Sequence, residues 1–167
     1  MIELLGSYRL DVAVYDPYLS PEEAEHLGVE LVADLVQLCG TCNVVSLHAP
    51  DIEATRGMLQ AVHFAAMPDG ATFINTARPA LIDQDALTAN LVGGRISAVL
   101  DVSDPEPLPA DHPLVTLANV FVTPHIAGSV GNELSRMADL AIDEIEHFTT
   151  GRPPLHPVTQ HDLDRIA

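Results

Sequence analysis

The sequence predicts an α/β fold, a doubly wound parallel sheet with helices between successive strands. Short continuous apolar runs recur along the 167 residues, each ending at a turn-forming or polar residue. Between them lie stretches with helical capping signals and three- and four-residue apolar spacing. The composition, 47% hydrophobic and 19% charged, belongs to a globular protein large enough to bury one core.

Val12 to Tyr15 reads as a first short strand, closed by Asp16-Pro17. Ser20-Pro21-Glu22-Glu23 supplies an N-cap, a first-turn proline and acidic first-turn residues, so a helix runs to about His26, ahead of Gly28. Val29 to Val32 is a short strand, Asp34 to Leu38 a short helix, and Asn43 to Leu47 the next buried strand. A helix over Ala61–Met67 is closed by Pro68-Asp69-Gly70, and Ala71 to Asn75 forms a strand. A helix over Asp83–Leu91 stops at Gly93-Gly94, and Ile96–Leu100 and Asn119–Val122 are the last strands. A long helix from Asn132 to Thr149 places Leu134, Met137, Ala138, Ala141, Ile142, Ile145 and Phe148 on one stripe, which is expected to be buried. Apolar strands alternating with helices imply a parallel sheet covered on both faces, a Rossmann-like architecture. Residues 1–151 form the domain, and residues 152–167, with their prolines and scattered charge, read as a loosely attached tail.

The formal net charge is −17, and all seven Lys-plus-Arg positions are arginines. No basic patch exists for a nucleic-acid partner, and an acidic surface repels anionic membranes. No run of about 18 apolar residues suggests a membrane span. The start, Met1 to Leu5, lacks the basic region and cleavage site of a secretory signal, so a cytoplasmic location is expected. Cys39-Gly40-Thr41-Cys42 lacks the further ligands that a zinc site needs and follows a helical run rather than opening one, so it reads as structural. No metal is expected.

The chemistry gathers at strand ends, where ligands bind in open α/β sheets. His125 follows the apolar run Val120-Phe121-Val122, and Glu106 follows Ile96 to Leu100. A carboxylate beside an imidazole fixes its tautomer and favours its protonated form, which equips a general acid/base. A histidine at such a position is equally a loop residue bonded to a neighbouring carbonyl. Asp16, at the end of the first strand, is placed to accept hydrogen bonds from both hydroxyls of an adenosine ribose, and no arginine follows to favour a 2′-phosphate. On that reading NAD is preferred to NADP, although Asp-Pro after a strand also makes an ordinary turn. Arg78, in Asn75-Thr76-Ala77-Arg78, has the planar fork suited to a carboxylate, or pairs with one of many surface acids. No G-x-G-x-x-G occurs, and only fifteen residues precede Asp16. The strand and glycine-rich loop that would hold a pyrophosphate are therefore expected to be absent, with Met1–Tyr8 as the tail of the helix that would follow them.

Taken together, these elements resemble the NAD-binding domain of the D-isomer-specific 2-hydroxyacid dehydrogenases. The resemblance spans about Val12 to Phe148. It rests on Val14-Tyr15-Asp16-Pro17, Ser46-Leu47-His48-Ala49-Pro50, Thr55-Arg56-Gly57-Met58, Asp69-Gly70-Ala71, Ile74-Asn75-Thr76-Ala77-Arg78, Leu100-Asp101-Val102, Glu106-Pro107 and Thr123-Pro124-His125-Ile126-Ala127-Gly128. It implies an NAD-dependent oxidoreductase that interconverts a small D-2-hydroxy acid and its 2-keto acid. His125 would be the acid/base, Glu106 its partner, and Arg78 the clamp on the substrate carboxylate. Asp16 would hold the ribose and Asp101 the nicotinamide carboxamide, while Ala49, Pro50, Thr55, Thr76 and Ala77 line the cofactor groove beside Arg78 and His125. A homodimer through the long helix is also implied.

Two residues depart from the family pattern. Pro79 stands where glycine usually follows the arginine, and Val99 where glycine usually precedes Leu-Asp-Val. The family's second, substrate-binding domain is almost wholly missing, with residues 152–167 as a remnant of the link to it. A catalytically inactive remnant, or a nucleotide-sensing, corepressor-like binding module, therefore stands beside the enzyme as an expectation.

Overall fold

The computed structural model describes residues 1–160 and 162–164. His161 and residues 165–167 of the tail lie outside the described residues. Seven α-helices and six strands follow the chain among the described residues: α1 (Ile2–Leu5), β1 (Ala13–Val14), α2 (Pro21–Leu27), β2 (Glu30–Leu31), α3 (Leu35–Thr41), β3 (Val44–Leu47), α4 (Ala61–Ala66), β4 (Thr72–Asn75), α5 (Gln84–Val92), β5 (Ser97–Leu100), α6 (Pro113–Thr116), β6 (Val120–Val122) and α7 (Glu133–Thr149). A 3₁₀ turn spans Pro79–Leu81.

Local chemistry sets the helix starts. Ser20 Oγ accepts from Glu23 N at 3.2 Å while Glu23 returns a bond from Ser20 N at 2.9 Å, a reciprocal capping box opening α2. Asp34 and Asp83 cap α3 and α5 by a single bond each, accepting from Gln37 N at 2.6 Å and Ala86 N at 2.9 Å. Gly28, at φ +68°, ends α2 in the left-handed region, where a side chain would be strained.

Every strand pair is parallel, as expected, but the strands fall into two sheets, β1–β2 and β3–β4–β5–β6. β1 and β3 are both edge strands. Coverage is also one-sided. In the larger sheet, Val45, Phe73 and Ala98 lie in register and are buried, as are Leu47, Asn75 and Leu100. The alternate positions Ser46, Ile74, Val99 and Phe121 share the other face, and Phe121 is 64% exposed. The cause is the run of helices: α3, α4, α5 and α6 pack against one another in sequence and contribute Leu38, Cys39, Phe64, Leu87, Leu91 and Leu114 to a single core. Phe64 and Phe73 meet edge to face, with centroids 5.3 Å apart.

α3 runs three residues beyond the expected Leu38, so Cys39 sits inside the helix and Cys42 caps it. Burial first, then the nearby Cys42 and Asp34, push the Cys39 thiol up to about 11, so it stays protonated and inert. The core sulfur is structural.

The long helix departs from expectation. Its stripe is not buried: none of the α7 residues is, and Leu134, Met137, Ile142, Ile145 and Phe148 are all exposed, Phe148 at 86%. The sequence periodicity is real, but the surface it would cover is not supplied by the described residues. The tail is also held more firmly than its composition suggests. Glu144 accepts from Leu155 N and His156 N at 3.2 and 2.6 Å, and His147 Nδ1 bonds Pro153 O at 2.7 Å. No helix among the described residues is long and apolar enough to cross a membrane, and no group of three or more His, Cys, Asp or Glu there could hold a metal.

These burial differences predict opposite mutational outcomes. Phe73→Ala removes a fully buried ring and is expected to cost about 3–5 kcal/mol in urea unfolding. Phe148→Ala changes the stability of the isolated chain by under about 0.5 kcal/mol.

Candidate functional site

The ends of β4, β5 and β6 lie in register, with Asn75 beside Leu100 and Leu100 beside Val122. Three loops therefore leave the sheet side by side at one edge, and each begins with a polar group that organises it. Leu47, at the end of β3, lies beside Asn75, so the loop containing His48, Ala49 and Pro50 joins the same edge.

The β4 loop carries Arg78. Asn75 is fully buried, and its side chain accepts from Ala77 N at 3.0 Å and donates to Arg78 O at 3.1 Å. One amide thus closes the turn Thr76-Ala77-Arg78. The guanidinium is exposed and donates from Nη1 to Ala77 O at 2.7 Å. No hydrogen bond among the described residues joins it to His125 or Glu106. Pro79 is accommodated because it opens the 3₁₀ turn, a first-turn position where its fixed φ fits and no N–H is required.

The β5 and β6 loops meet. Asp101 follows β5 and is only 3% exposed. Its Oδ1 accepts from Thr123 Oγ1 at 2.5 Å and from Ile126 N at 2.8 Å, and its Oδ2 accepts from Ala127 N at 2.8 Å. Burial opposes ionisation, but these three bonds and the His125 ring outweigh it and hold the carboxyl below its usual range. The bonds bracket His125, which sits at φ +54° in the left-handed region. That conformation costs a non-glycine residue about 1–2 kcal/mol. Three bonds to a charged acceptor, each about 1.5–3 kcal/mol, exceed it.

So presented, His125 Nδ1 lies 2.8 Å from Glu106 Oε1. The two side chains are 45% and 43% exposed. An ion pair so open to water contributes only about 0–1 kcal/mol, so its significance is chemical rather than structural. An ionised carboxylate only accepts, so the neutral ring carries its proton on Nδ1 and leaves the Nε2 lone pair free. Among the described residues Nε2 has no hydrogen-bond partner.

The remaining expected residues divide into those on this edge and one apart. Thr55 donates to Pro50 O at 2.5 Å and accepts from Ile52 N at 3.1 Å, folding the loop that carries Ala49 and Pro50. His48, beside Ala49, bonds Ser46 Oγ at 2.8 Å, and burial, then the amino-terminal charge, holds it below the usual histidine range. Asp16 lies after β1, in the smaller sheet, exposed and accepting from Tyr18 N at 2.9 Å through Oδ1. Sequence reasoning missed Asn75 and Thr123 as site residues. An asparagine at a strand end is a recognised turn former, so its signal was available.

Residues 1–127 match the family described as D-isomer specific 2-hydroxyacid dehydrogenase, NAD binding domain. The chain belongs to this family. D-3-phosphoglycerate dehydrogenase of Archaeoglobus fulgidus is 35% identical over 157 residues, covering 93% of this chain and 30% of that protein. D-lactate dehydrogenase with NAD+ from Lactobacillus jensenii superimposes with a TM-score of 0.82 at 26% identity, over 95% of this chain and 51% of that one. A family member from Xanthobacter autotrophicus Py2 in complex with NADPH and MES gives 0.78 at 33% identity, over 93% and 63%. The chain thus spans from under a third to just under two thirds of these proteins' lengths.

The Asp101 bonds predict a pH signature. Because its folded carboxyl titrates below the unfolded value, near 3.9, its stabilisation is complete above that value and is lost as pH falls through the folded one. Asp101→Asn turns one acceptor into a donor facing the loop's N–H groups. Urea unfolding is expected to show it less stable by about 1–3 kcal/mol near neutrality, with the gap from the parent protein narrowing below about pH 4.

Proposed function

We propose that these residues form the NAD-binding part of an oxidoreductase that interconverts a small D-2-hydroxy acid with its 2-keto acid. The observation that carries the reading is the 2.8 Å contact between His125 Nδ1 and Glu106 Oε1, which leaves Nε2 free at the strand-end edge. In reduction, protonated His125 donates from Nε2 to the substrate's ketone oxygen; in oxidation the neutral ring removes the hydroxyl proton. Glu106 holds the ring in the tautomer this requires and stabilises the cation that forms. Arg78 binds the substrate carboxylate through its fork and polarises the neighbouring carbonyl.

The residues present suit a dinucleotide. Among the described residues Asp16 has Oδ2 uncommitted for a ribose diol, and its charge disfavours a 2′-phosphate, so NAD is the expected cofactor. Ala49, Pro50, Thr55, Thr76 and Ala77 would line its groove with backbone groups. Asp101 retains acceptor capacity on Oδ2 for the nicotinamide carboxamide while fixing the His125 loop. The bound nicotinamide would supply the hydride transfer.

The test is kinetic, on the protein that carries these residues, with NADH and a panel of 2-keto acids. His125→Gln is expected to lower kcat by about 10²–10⁴-fold. Arg78→Lys is expected to raise KM for the keto acid, because a point charge replaces the fork. NADH binding without turnover would favour a nucleotide-sensing module, and absence of NADH binding would overturn the reading.

A homodimer accounts for the uncovered stripe on α7. Sedimentation equilibrium is expected to give a dimer, and Ile145→Asp, which places a charge on that stripe, a monomer. A monomeric parent protein removes this part of the proposal.

A further inference from the structure

Glu106 lies in an exposed stretch, Asp104 to Pro107, with no regular structure of its own. Its position opposite His125 therefore has to come from anchors. One is internal: Ser103, buried after β5, donates from Oγ to Pro105 O at 3.1 Å. The other comes from 20 residues away. Gln84, the first residue of α5, accepts from Asp104 N through Oε1 at 2.9 Å and donates to Asp104 O through Nε2 at 2.5 Å. Only one orientation of the amide satisfies both bonds, so the side chain grips both backbone groups of a single residue as a neighbouring strand would. Asp104 is two residues before Glu106. The grip links α5 to the loop, and α5 is rooted in the core through Leu87 and Leu91.

On this geometry we infer that Gln84 is a positioning residue: its bidentate clamp on the Asp104 backbone holds Glu106 at His125 and so sets the tautomer of the acid/base ring. The inference rests on the acid/base reading of the pair, and touches neither substrate nor cofactor itself. Serving α5 as a first-turn residue does not account for the clamp. The Asp83 side chain already caps that helix, and Gln84 directs both of its amide groups outward to another segment.

The test reads the ring rather than turnover. Nitrogen-15 shifts of the His125 imidazole, assigned with His125→Gln, are recorded at a pH where histidine is neutral, about 8. The parent protein is expected to show the Nδ1–H tautomer. Gln84→Met keeps the length but removes both bonds, and is expected to reduce the ratio of Glu106-paired to unpaired ring by about five- to ten-fold. Gln84→Glu keeps the acceptor for Asp104 N but sets a carboxylate oxygen against Asp104 O, so it is likewise expected to lower that ratio. It also carries the test if the methionine variant fails to fold. Unfolding midpoints measured alongside separate a loss of the fold from a loss of the clamp.

Glu106→Ala is the internal reference. If it shifts the ring and both folded Gln84 variants leave the parental tautomer, the clamp is overturned while the pair stands. If Glu106→Ala leaves the ring unchanged, the acid/base pairing fails, and this inference fails with it.

Discussion

The arrangement at the sheet edge depends on one buried carboxylate. Among the described residues Asp101 faces no cation at hydrogen-bond distance; its charge is satisfied by two backbone N–H groups and one hydroxyl, all from the loop after β6. A charge in that setting is tolerable only while every donor stays in place. The dependence also runs the other way, because the loop's left-handed residue persists only while the carboxylate holds its flanks. Loop and charge stabilise each other, and His125 is the residue left facing outward.

The same device recurs along the edge at smaller scale. Asn75 closes the turn after β4, and Ser103 restrains the segment after β5. In each case a polar side chain, buried where a strand ends, bonds main-chain groups of the turn that follows. The reactive candidates, Arg78, Glu106 and His125, make few bonds beyond their own neighbourhood. Their order is inherited from buried residues that do no chemistry, as a preorganised site requires.

Much of this was legible in sequence where the controlling interactions are local. Ser20 announced its helix because a cap acts within four residues, and the helices starting near Asp34 and Asp83 were bounded by equally local signals. His125 and Glu106 could be paired because each follows an apolar run, and neighbouring parallel strands bring such ends together. What stayed hidden depends on contacts distant in the chain. The spacing of Leu134 to Phe148 states that α7 has an apolar side, not what lies against it. The alternation within β3 to β5 could not say that only one face is covered, since both faces carry apolar residues. Pro79 read as a disturbance until the 3₁₀ turn gave it a first-turn position, and Cys39 read as lying beyond a helix that in fact includes it. The bonds of Asp101 to a loop some 25 residues away leave no periodic trace.

Among the described residues α7 lacks a packing surface, and that alters what its stability means. A helix of 17 residues without tertiary support is marginal in water, since propagation barely offsets nucleation. The bonds that Glu144 accepts from the tail's backbone N–H groups, and the one His147 donates to Pro153 O, secure only its last turns. In the proposed dimer the order of the first turns would be a linked quantity, rising with the concentration of the chain itself. Those turns follow directly on the loop that carries His125, so in that dimer the sharpness of the loop's far end would be set by mass action as well as by the fold.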